Sequence, residues 1–398
     1  MKIAILTSGI LPVPAVLGGA VENLIDFYLE YNEEHQLHDI TIYSVNHPHT
    51  KNHPAKSSKI NHYYYIDVNS LWSKIKRKIY YYTHREEYHH YFIEYFLDQS
   101  IKHIRKQNYD CIILENRPSY SLKLKSITNA KFVYHLHNEK LTLETPSYLD
   151  IYKAASRIIC VSDFITNSVK AINPHDSKCI TVYNGIDLTA FSKRLVNISR
   201  KEIGLDNHDF VMIYSGRINP EKGIKELTEA MSRLTNYPQI KLLIIGSSFY
   251  GDATEDDDFT KELRNNTVKI QNRIYFTGYI PYNDVPAYLK LADIAVVPSM
   301  WEEAFGLTVL EAMAAGLPLI TTRSGGIPEI CENVAYIIER EDIVNNLTKA
   351  IIHLYSHPKI CAHMSELSVN RAQQFSKEKY AENFFKALNA IPDAKQHS

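Results

Sequence analysis

Short apolar runs rich in β-branched residues alternate along the chain with longer segments in which apolar residues recur at helical spacing. This alternation is typical of parallel α/β sheets, in which each strand is followed by a crossover helix. In the first half the pattern predicts strands at Lys2–Ser8, Asp39–Val45, Cys111–Glu115, Lys131–His137, Arg157–Ser162 and Cys179–Asn184. In the second half it predicts strands at Phe210–Gly216, Ile240–Ser247, Arg273–Ile280, Ile294–Ser299, Leu317–Thr322 and Ala335–Glu339.

Helical periodicity fills the gaps of the second series. It predicts helices at Lys222–Leu234, Asn283–Leu291, Thr308–Ala315 and Glu341–Tyr355. Two such series predict two doubly wound domains, with a break near Asp187–Asn207. Ligands of doubly wound sheets bind beyond the carboxyl ends of the strands, so the loops at those ends are where we expect the chemistry.

Composition and charge narrow the class of protein. The chain has 398 residues, of which 45% are hydrophobic and 22% charged, which excludes a disordered or fibrous protein. A net charge of −1 argues against a nucleic-acid-binding protein that is basic throughout. The charge is unevenly distributed, since residues 1–200 hold 24 basic and 19 acidic groups and the remainder holds 20 and 26. The two halves are therefore expected to meet different partners.

The cysteines and the apolar runs indicate the compartment. Five widely spaced cysteines, with no CxxC pair, are expected to be buried free thiols in a reducing cytosol. The first residues lack the apolar length and cleavage site of a signal peptide, and no window reaches the roughly 18 apolar residues of a spanning helix. We expect a cytoplasmic protein that is soluble or attached peripherally to the inner face of the plasma membrane.

The loop after the first strand contains a pair of glycines, Gly18 and Gly19, before an apolar periodic stretch. Paired glycines at a helix start let the backbone approach an anion. A tight turn that requires positive φ explains the same pair equally well. The GxGxxG fingerprint of dinucleotide-binding proteins is missing, which disfavours an NAD-dependent oxidoreductase.

Two cations follow the first strand of the second series, in Ser215-Gly-Arg217-Ile-Asn-Pro-Glu-Lys222-Gly. Arginine can bind an anion through two parallel hydrogen bonds, and lysine acts as a point charge. A lysine in the first helical turn opposes the helix dipole, so a bound diphosphate accounts for it better than helix stability does. A solvated surface pair is the alternative.

Two carboxylates lie around a predicted helix start, in Glu303-Ala304-Phe305-Gly306-Leu307-Thr308-Val-Leu-Glu311. Thr308 and Glu311 fit a capping box, which would give Glu311 a structural role only. Glu303 precedes the helix, where no capping role explains it. Carboxylates accept from hydroxyl groups and free backbone amides bind phosphate oxygens, so the segment suits a polyhydroxylated ligand that carries an anion.

These segments together resemble glycosyltransferase family 4, a family of retaining transferases with the GT-B fold. Glu303 and Glu311 match its E-x7-E motif, and Arg217 and Lys222 match its arginine/lysine loop. Tyr183-Asn184-Gly185-Ile-Asp187 and Ser324-Gly325-Gly326-Ile-Pro328-Glu329 are further matches. The resemblance covers nearly the whole chain and is weakest over residues 46–130.

The resemblance implies two Rossmann-like doubly wound domains that face a central cleft. Residues 1–188 would form the acceptor-binding domain and residues 189–372 the nucleotide-sugar-binding domain, with a helix in 373–398 that crosses back to the first. It also implies a retaining, metal-independent transfer with no cofactor, from a nucleotide sugar, most plausibly a UDP-sugar. The acceptor would be a surface polysaccharide, a lipid-linked oligosaccharide or a glycolipid.

The resemblance further assigns roles to residues. Arg217 and Lys222 would hold the diphosphate, aided by the amides of Gly19 and of Phe305, Gly306, Leu307 and Thr308. Glu311 would accept from the ribose, Glu303 would contact the transferred sugar, and the backbone at Tyr279, Ile280 and Pro281 would meet the base. Ala304 and Gly18 would be further donor-binding residues. In Tyr134-His135-Leu-His137-Asn138 the histidine that faces the sugar is expected to be His137, with His135 as second choice.

A basic, aromatic segment at residues 71–82 offers a surface for an anionic membrane. It combines Trp72, Lys74, Lys76, Arg77 and Lys78 with tyrosines, including Tyr63–Tyr65 before it and Tyr88, Tyr91 and Tyr95 after it. Basic groups and interfacial aromatics anchor proteins to anionic bilayers. An ordinary surface helix with packed tyrosines is the alternative, and nucleic acid fits less well because the basic run is short.

Three other interpretations remain. Asp256-Asp257-Asp258 could be a metal-binding motif, but a solvated loop and helix-start charge explain it better. A sugar phosphorylase on the same fold would keep the anion site without a base pocket. A catalytically silent scaffold in a polysaccharide assembly complex is disfavoured by the intact Glu303, Glu311, Arg217 and Lys222.

Overall fold

The computed structural model describes residues 1–83, 91–192, 198–247 and 257–391. Its strands are all parallel to their neighbours. In chain order the strands are β1 Lys2–Leu6, β2 Asp39–Val45, β3 Asn61–Ile66, β4 Cys111–Glu115, β5 Lys131–Leu136, β6 Ala155–Cys160, β7 Cys179–Thr181, β8 Phe210–Ser215, β9 Ile240–Ile245, β10 Ile274–Gly278, β11 Ile294–Val297, β12 Leu319–Thr322 and β13 Tyr336–Ile338.

Most helices fall between strands, as the alternating pattern predicts, and the last three follow the final strand. They are α1 Ala20–His35, α2 Leu71–Thr83, α3 Tyr91–Ile104, α4 Tyr120–Leu124, α5 Tyr148–Ala154, α6 Asp163–Lys170, α7 Leu188–Ser192, α8 Ile224–Arg233, α9 Asp258–Asn266, α10 Val285–Leu289, α11 Leu307–Ala314, α12 Ile327–Cys331, α13 Ile343–Ser356, α14 Pro358–Ala372 and α15 Lys377–Asn389. None of the helices in these described ranges is both long and apolar enough to cross a membrane.

The chain divides into two compact units. Unit 1 comprises Met1–Asn184 and the segment from Glu378 onward, and unit 2 comprises Gly185–Lys377. The sheet of unit 1 has the strand order β3-β2-β1-β4-β5-β6-β7, and that of unit 2 the order β10-β9-β8-β11-β12-β13. The strand order reverses direction beside β1 in unit 1 and beside β8 in unit 2. This is the doubly wound arrangement. The predicted α/β class with two Rossmann-like domains is confirmed.

Each sheet is buried because helices cover both faces, and its strands are accordingly apolar along their length. In unit 1 the strand β1 is fully buried from Ile3 to Leu6. In unit 2 a core of aliphatic side chains from β8, β9 and β11 packs against α8 and α13, with Leu227, Met231, Leu347 and Ile351 fully enclosed.

The last helix, α15, packs on unit 1. The Phe384 ring stacks on the Tyr28 ring of α1 with 4.4 Å between ring centroids and an interplanar angle of 2°. Tyr380, Phe384 and Leu388 are buried, and an Arg157 guanidinium nitrogen donates to the Ala390 carbonyl oxygen just beyond the helix. The aromatic side chains of α15 thus complete the core beneath the sheet of unit 1.

The edge strand β3 was not predicted. Its sequence, Asn-His-Tyr-Tyr-Tyr-Ile, suggested interfacial tyrosines, but Tyr63–Tyr65 lie in the strand and are half-buried. The Tyr64 ring stacks on His103 with 4.1 Å between centroids, and Tyr63 stacks on Tyr65. These three tyrosines therefore contribute to the packing of unit 1, as the alternative of packed tyrosines expects, and a membrane contact for them stays a prediction.

Candidate active site

The strand order of unit 2 reverses between β8 and β11, which are hydrogen-bonded neighbours. The loop after β8 carries Arg217 and Lys222, and the loop after β11 carries Glu303. Because the strands are parallel, both loops leave the same edge of the sheet. The predicted anion-binding cations and the first carboxylate of the E-x7-E motif are thus brought together.

Lys222 does not lie in the first turn of the following helix, which corrects the sequence prediction. It ends a short 3-10 turn, Pro220–Lys222, and α8 begins at Ile224 after Gly223. Gly223 has φ 68°, and a Cβ atom there would lie 1.9 Å from the Pro298 carbonyl oxygen. The close approach of these two loops therefore requires glycine.

Lys222 and Glu303 form an ion pair, with 2.5 Å between the lysine Nζ and the carboxylate Oε1. The Ser299 hydroxyl donates to the same carboxylate oxygen at 2.7 Å. The lysine side chain is 26% exposed and that of the glutamate 17%, so both reach the surface of unit 2. A charged ligand can consequently compete for either partner.

The loop Ser324-Gly325-Gly326 packs against the backbone of Glu303. The Gly326 amide donates to the Glu303 carbonyl oxygen at 2.7 Å. Gly325 has φ 50°, and a Cβ atom there would lie 2.2 Å from that same oxygen. The preceding residue, Glu302, is instead paired with Arg340, and its carboxylate accepts a hydrogen bond from the Gly325 amide. The backbone of Glu303 is therefore fixed while its carboxylate remains at the surface.

Arg217 lies on the same loop as Lys222, and its side chain is exposed. Its carbonyl oxygen accepts a hydrogen bond from the hydroxyl of buried Tyr214 at 2.6 Å, which anchors the loop to β8. The binding role of Arg217 stays a prediction.

The start of α11 differs from the capping box that the sequence suggested. The capping residue is Gly306, with φ 103°, and no side chain caps this helix. Thr308 and Glu311 therefore do not form the predicted box. The first backbone amides of a helix have no acceptor within the helix. The amides of Leu307 and Thr308 therefore face the N-terminal end of α11, where the helix dipole favours an anion. Phe305 is buried and Ala304 half-buried.

Glu311 is buried and hydrogen-bonded to Tyr282, a residue that the sequence prediction missed. Burial raises the pKa of the Glu311 carboxyl to about 7, against the opposing effect of the Tyr282 hydrogen bond. Tyr282 closely follows the half-buried pair Tyr279 and Ile280, the expected base-binding backbone. Its nearness in sequence to that backbone was the only available signal.

In unit 1 the strand order reverses between β1 and β4, and the loop after β1 leads through Gly18 and Gly19 into α1. Both glycines have positive φ, 73° and 106°. A Cβ atom on Gly19 would lie 2.3 Å from a carboxyl oxygen of Glu22. Burial raises the pKa of Glu22 to about 7. The expected contact of Gly18 and Gly19 with a diphosphate stays a prediction, and Glu22 would be its neighbour.

A second buried cluster lies at the ends of β4 and β5. Glu115 is the last residue of β4 and pairs in register with His135 of β5. The His137 Nε2 atom lies 2.9 Å from Glu115 Oε2, and the His135 Nδ1 atom lies 3.0 Å from the same oxygen. The side chains of Glu115 and His135 are 0% exposed, and that of His137 is 6% exposed. The sequence prediction included both histidines and missed Glu115.

The pKa of Glu115 is lowered, whereas the pKa values of the buried carboxyls of Glu22 and Glu311 are raised. Burial alone would raise the pKa of Glu115, but the charges and hydrogen bonds of the two histidines outweigh it and lower the pKa to about 2. Burial and the neighbouring His135 lower the pKa of His137 to about 4, against the opposing effect of Glu115. At neutral pH the cluster therefore contains an ionised Glu115 and a neutral His137.

Among the described residues, one group has the composition of a metal site, namely Glu115, His135 and His137. The aspartate run of the sequence does not form another within the part of the chain that the structure describes. Asp257 caps α9 by accepting from the Thr260 amide at 2.8 Å, and Asp258 is exposed in its first turn. Asp256 lies outside the described residues.

Comparisons with known proteins agree with this geometry. The family model described as Glycosyltransferase Family 4 matches residues 34–190, and the one described as Glycosyl transferases group 1 matches residues 196–371. Spore coat protein SA of Bacillus subtilis (strain 168) is 27% identical, over 96% of this chain and 98% of its own length. The lipopolysaccharide 1,2-N-acetylglucosaminetransferase of Salmonella typhimurium is 27% identical, over 58% of this chain and 60% of its own.

Solved structures extend the likeness to the whole chain. The crystal structure of Anabaena Alr3699/HepE in complex with UDP and glucose superposes with a TM-score of 0.73, covering 98% of this chain and 100% of that one at 19% identity. Two doubly wound units together with this likeness define the GT-B fold. The two family models, which together span most of the chain, place it in glycosyltransferase family 4.

The buried carboxyl of Glu311 predicts a pH-dependent stability. Its pKa of about 7 in the folded protein lies above the ordinary 4.5, so between these values the folded state holds a proton that the unfolded state releases. Stability should therefore fall as pH rises from 4.5 to 7. Relative to Glu311→Gln, the wild type should lose up to about 3 kcal/mol over this range, at about 1.4 kcal/mol per pKa unit.

Urea unfolding of both proteins between pH 4.5 and pH 8.5 measures this difference. Glu366→Gln is the matched control, because Glu366 is exposed on α14 of the same unit and should change the pH curve little. Parallel curves for wild type and Glu311→Gln would show that Glu311 does not carry the shifted pKa.

Proposed function

We propose that this glycosyltransferase moves a sugar from a UDP-sugar to a surface polysaccharide, a lipid-linked oligosaccharide or a glycolipid, with retention of anomeric configuration and without a metal ion. The observation that carries the proposal is the Lys222–Glu303 ion pair beside the start of α11. UDP and UDP-glucose are the ligands named for the Anabaena structures, which supports the choice of base.

The anion site of unit 2 is built to receive a diphosphate. Glu303 pairs with Lys222, so the lysine is held in place by a carboxylate that a phosphate can replace. A diphosphate that takes over Lys222 would release Glu303 to accept hydrogen bonds from the hydroxyls of the transferred sugar. Arg217 and the amides of Leu307 and Thr308 would supply the remaining positive charge.

The buried Glu311 suits a ribose. A carboxyl group with one hydrogen bond from Tyr282 keeps further lone pairs for the two hydroxyls of a ribose. The backbone after β10, at Tyr279 and Ile280, lies just before Tyr282 in the chain and would meet the base.

The same cations account for the leaving group. Transfer breaks the bond between the anomeric carbon and the diphosphate oxygen, and negative charge develops on the diphosphate. Arg217, Lys222 and the α11 amides can stabilise that charge, as a metal ion does elsewhere. In the retaining course the acceptor oxygen bonds to the anomeric carbon on the face that the diphosphate leaves, and the acceptor proton passes to a diphosphate oxygen. His137 would contact the transferred sugar.

The test combines binding and turnover. Calorimetry with UDP, GDP and inorganic phosphate should show binding of UDP well above that of phosphate, with EDTA present throughout. NMR of the product from a UDP-sugar and a glycan acceptor should show the anomeric configuration of the donor. Tight binding of phosphate without a nucleotide effect would favour a sugar phosphorylase instead, and an inverted product would exclude retention.

Removal of either cation should weaken donor binding. A charge-assisted hydrogen bond contributes about 1.5–3 kcal/mol, so Arg217→Ala and Lys222→Ala should each raise the Kd for UDP by roughly 10- to 150-fold and lower the turnover rate. Lys225→Ala is the control, because Lys225 is an exposed lysine three residues further along in α8. Wild-type UDP binding in both variants would refute the assignment of the diphosphate site.

The helix α2 offers a surface for an anionic membrane, and we propose that it docks unit 1 there. Leu71, Trp72, Ile75 and Ile79 are 74%, 73%, 42% and 59% exposed, and their spacing places them along one side of the helix. Lys74, Lys76 and Lys78 are exposed between them. Apolar side chains beside lysines match a bilayer interface with anionic headgroups. Tyr88 lies outside the described residues. The ring centroid of Tyr95 lies 5.9 Å from the Nζ atom of Lys76.

Neutralising these lysines should weaken membrane binding. Each lysine near an anionic surface contributes about 1 kcal/mol, so the triple substitution of Lys74, Lys76 and Lys78 to Gln should lower the partition constant for phosphatidylserine-containing vesicles, measured by co-sedimentation, on the order of 100-fold. The control replaces Lys125, Lys140 and Lys153, which are exposed elsewhere on unit 1, and removes the same charge. Equal losses in both variants would mean that net charge, and not α2, drives binding.

A further inference from the structure

Glu115 is a buried carboxylate in unit 1 that receives hydrogen bonds from three elements. Tyr28 of α1 donates its hydroxyl to Oε1 at 2.8 Å. His135 of β5 faces both oxygens through Nδ1, at 3.0 Å and 3.2 Å, and His137 faces Oε2 through Nε2 at 2.9 Å. Glu22 and Tyr380 are the other titratable groups whose charges reach it.

An ionised carboxylate only accepts hydrogen bonds, so each imidazole nitrogen that faces it must carry a proton. His137 is therefore protonated on Nε2, and His135 on Nδ1. In a neutral imidazole the other nitrogen is then an unprotonated acceptor. His137, whose pKa is about 4, is neutral at neutral pH, so the carboxylate fixes it in the Nε2-protonated tautomer.

The second ring nitrogens of the two histidines are in different surroundings. His135 Nε2 and His137 Nδ1 are both buried and have no hydrogen-bond partner in the described structure. The His135 ring lies 5.1 Å from the Phe384 ring and 6.3 Å from the Tyr380 ring, and it is fully enclosed. His137 follows the end of β5 and is the partly exposed member of the pair. A ligand hydroxyl could satisfy Nδ1 of His137 more readily than Nε2 of His135.

We propose that Glu115 is a positioning residue, which fixes His137 in the Nε2-protonated tautomer and so presents Nδ1 as a hydrogen-bond acceptor for a carbohydrate hydroxyl. The proposal rests on the proposed function, in which His137 contacts the transferred sugar. It changes the expected contact in one respect, because a neutral His137 held this way accepts a hydrogen bond through Nδ1 and cannot donate one there.

The geometry favours protons over a metal ion between these groups. The distances of 2.9–3.2 Å from nitrogen to oxygen are those of ordinary hydrogen bonds. The Tyr28 hydroxyl in addition uses an oxygen of the same carboxylate. A bound metal would have to take the histidine nitrogens that the hydrogen bonds now use.

The tautomers can be measured without any substrate. Two-dimensional NMR of imidazole ¹⁵N nuclei in the full chain should show His137 protonated on Nε2 and His135 on Nδ1. Glu115→Gln preserves shape but replaces one acceptor oxygen by an NH₂ donor, so the His137 signal should shift toward the Nδ1-protonated form. Tyr28→Phe is the matched control, because it removes a hydrogen bond to Glu115 while leaving the carboxylate, and it should retain the wild-type tautomers.

Kinetics distinguish a positioning role from a merely structural one. With UDP-glucose as the probe and release of UDP as the readout, Glu115→Gln should lower kcat at least tenfold with little change in KM for a folded protein. In a His137→Ala background the same substitution should have almost no further effect, because its action passes through His137. An equal loss in both backgrounds would show that Glu115 only stabilises the fold.

Two further outcomes would overturn the proposal in different ways. A stoichiometric metal ion in the purified wild type, found by elemental analysis and lost in Glu115→Gln, would mean that the nitrogens bind metal and not protons. Unchanged tautomers in Glu115→Gln would mean that Glu115 does not set them. If the wild type instead has the expected tautomers and binds no nucleotide, the proposed function fails while the assignment of the tautomers stands.

Discussion

The Lys222–Glu303 ion pair depends on where strand order reverses in the sheet of unit 2. Although α8, β9, α9, β10 and α10 separate β8 and β11 in the chain, the two strands are neighbours in the sheet, so their loops meet at one edge. Gly223 and Gly325 then allow the backbones to approach so closely that a methyl group would not fit. The pair is thus a product of topology first and of side-chain chemistry second.

Burial has opposite effects on the acids of this protein. Glu22 and Glu311 are buried and Asp26 is half-buried, each with few donors, and desolvation raises the pKa of each to about 7. Glu115 is at least as buried, yet its two histidines lower its pKa to about 2. The number and kind of hydrogen-bond donors, and not depth alone, decide which carboxyl groups are charged at neutral pH.

The sequence predicted elements well where apolar periodicity was strong. The strands Asp39–Val45 and Cys111–Glu115 have the predicted limits, and the others differ by a few residues at their ends. Strand β3 was missed because its three tyrosines are amphipathic, and such a run is equally compatible with an interface or a sheet edge. Local pattern also suggested a capping box at Thr308 and Glu311, whereas the tertiary contact with Tyr282 uses Glu311.

Glu115 and Tyr282 show the limit of motif reading at the site. Neither residue belongs to one of the matched family motifs, and each has its hydrogen-bond partner in a segment distant in sequence. Fold and family were predictable because they depend on many weak repeated signals. The partners of a buried carboxylate depend on one or two contacts, which only the folded chain reveals.

The packing of α15 on unit 1 has a consequence for synthesis of the chain. The sheet of unit 1 is complete once residue 181 has been made, but the rings of Tyr380 and Phe384, which pack against Tyr28 and His135, come from a segment that follows all of unit 2. During translation an apolar face of unit 1 therefore stays uncovered while all of unit 2 is synthesised. The buried histidine cluster is enclosed only after α15 has been synthesised.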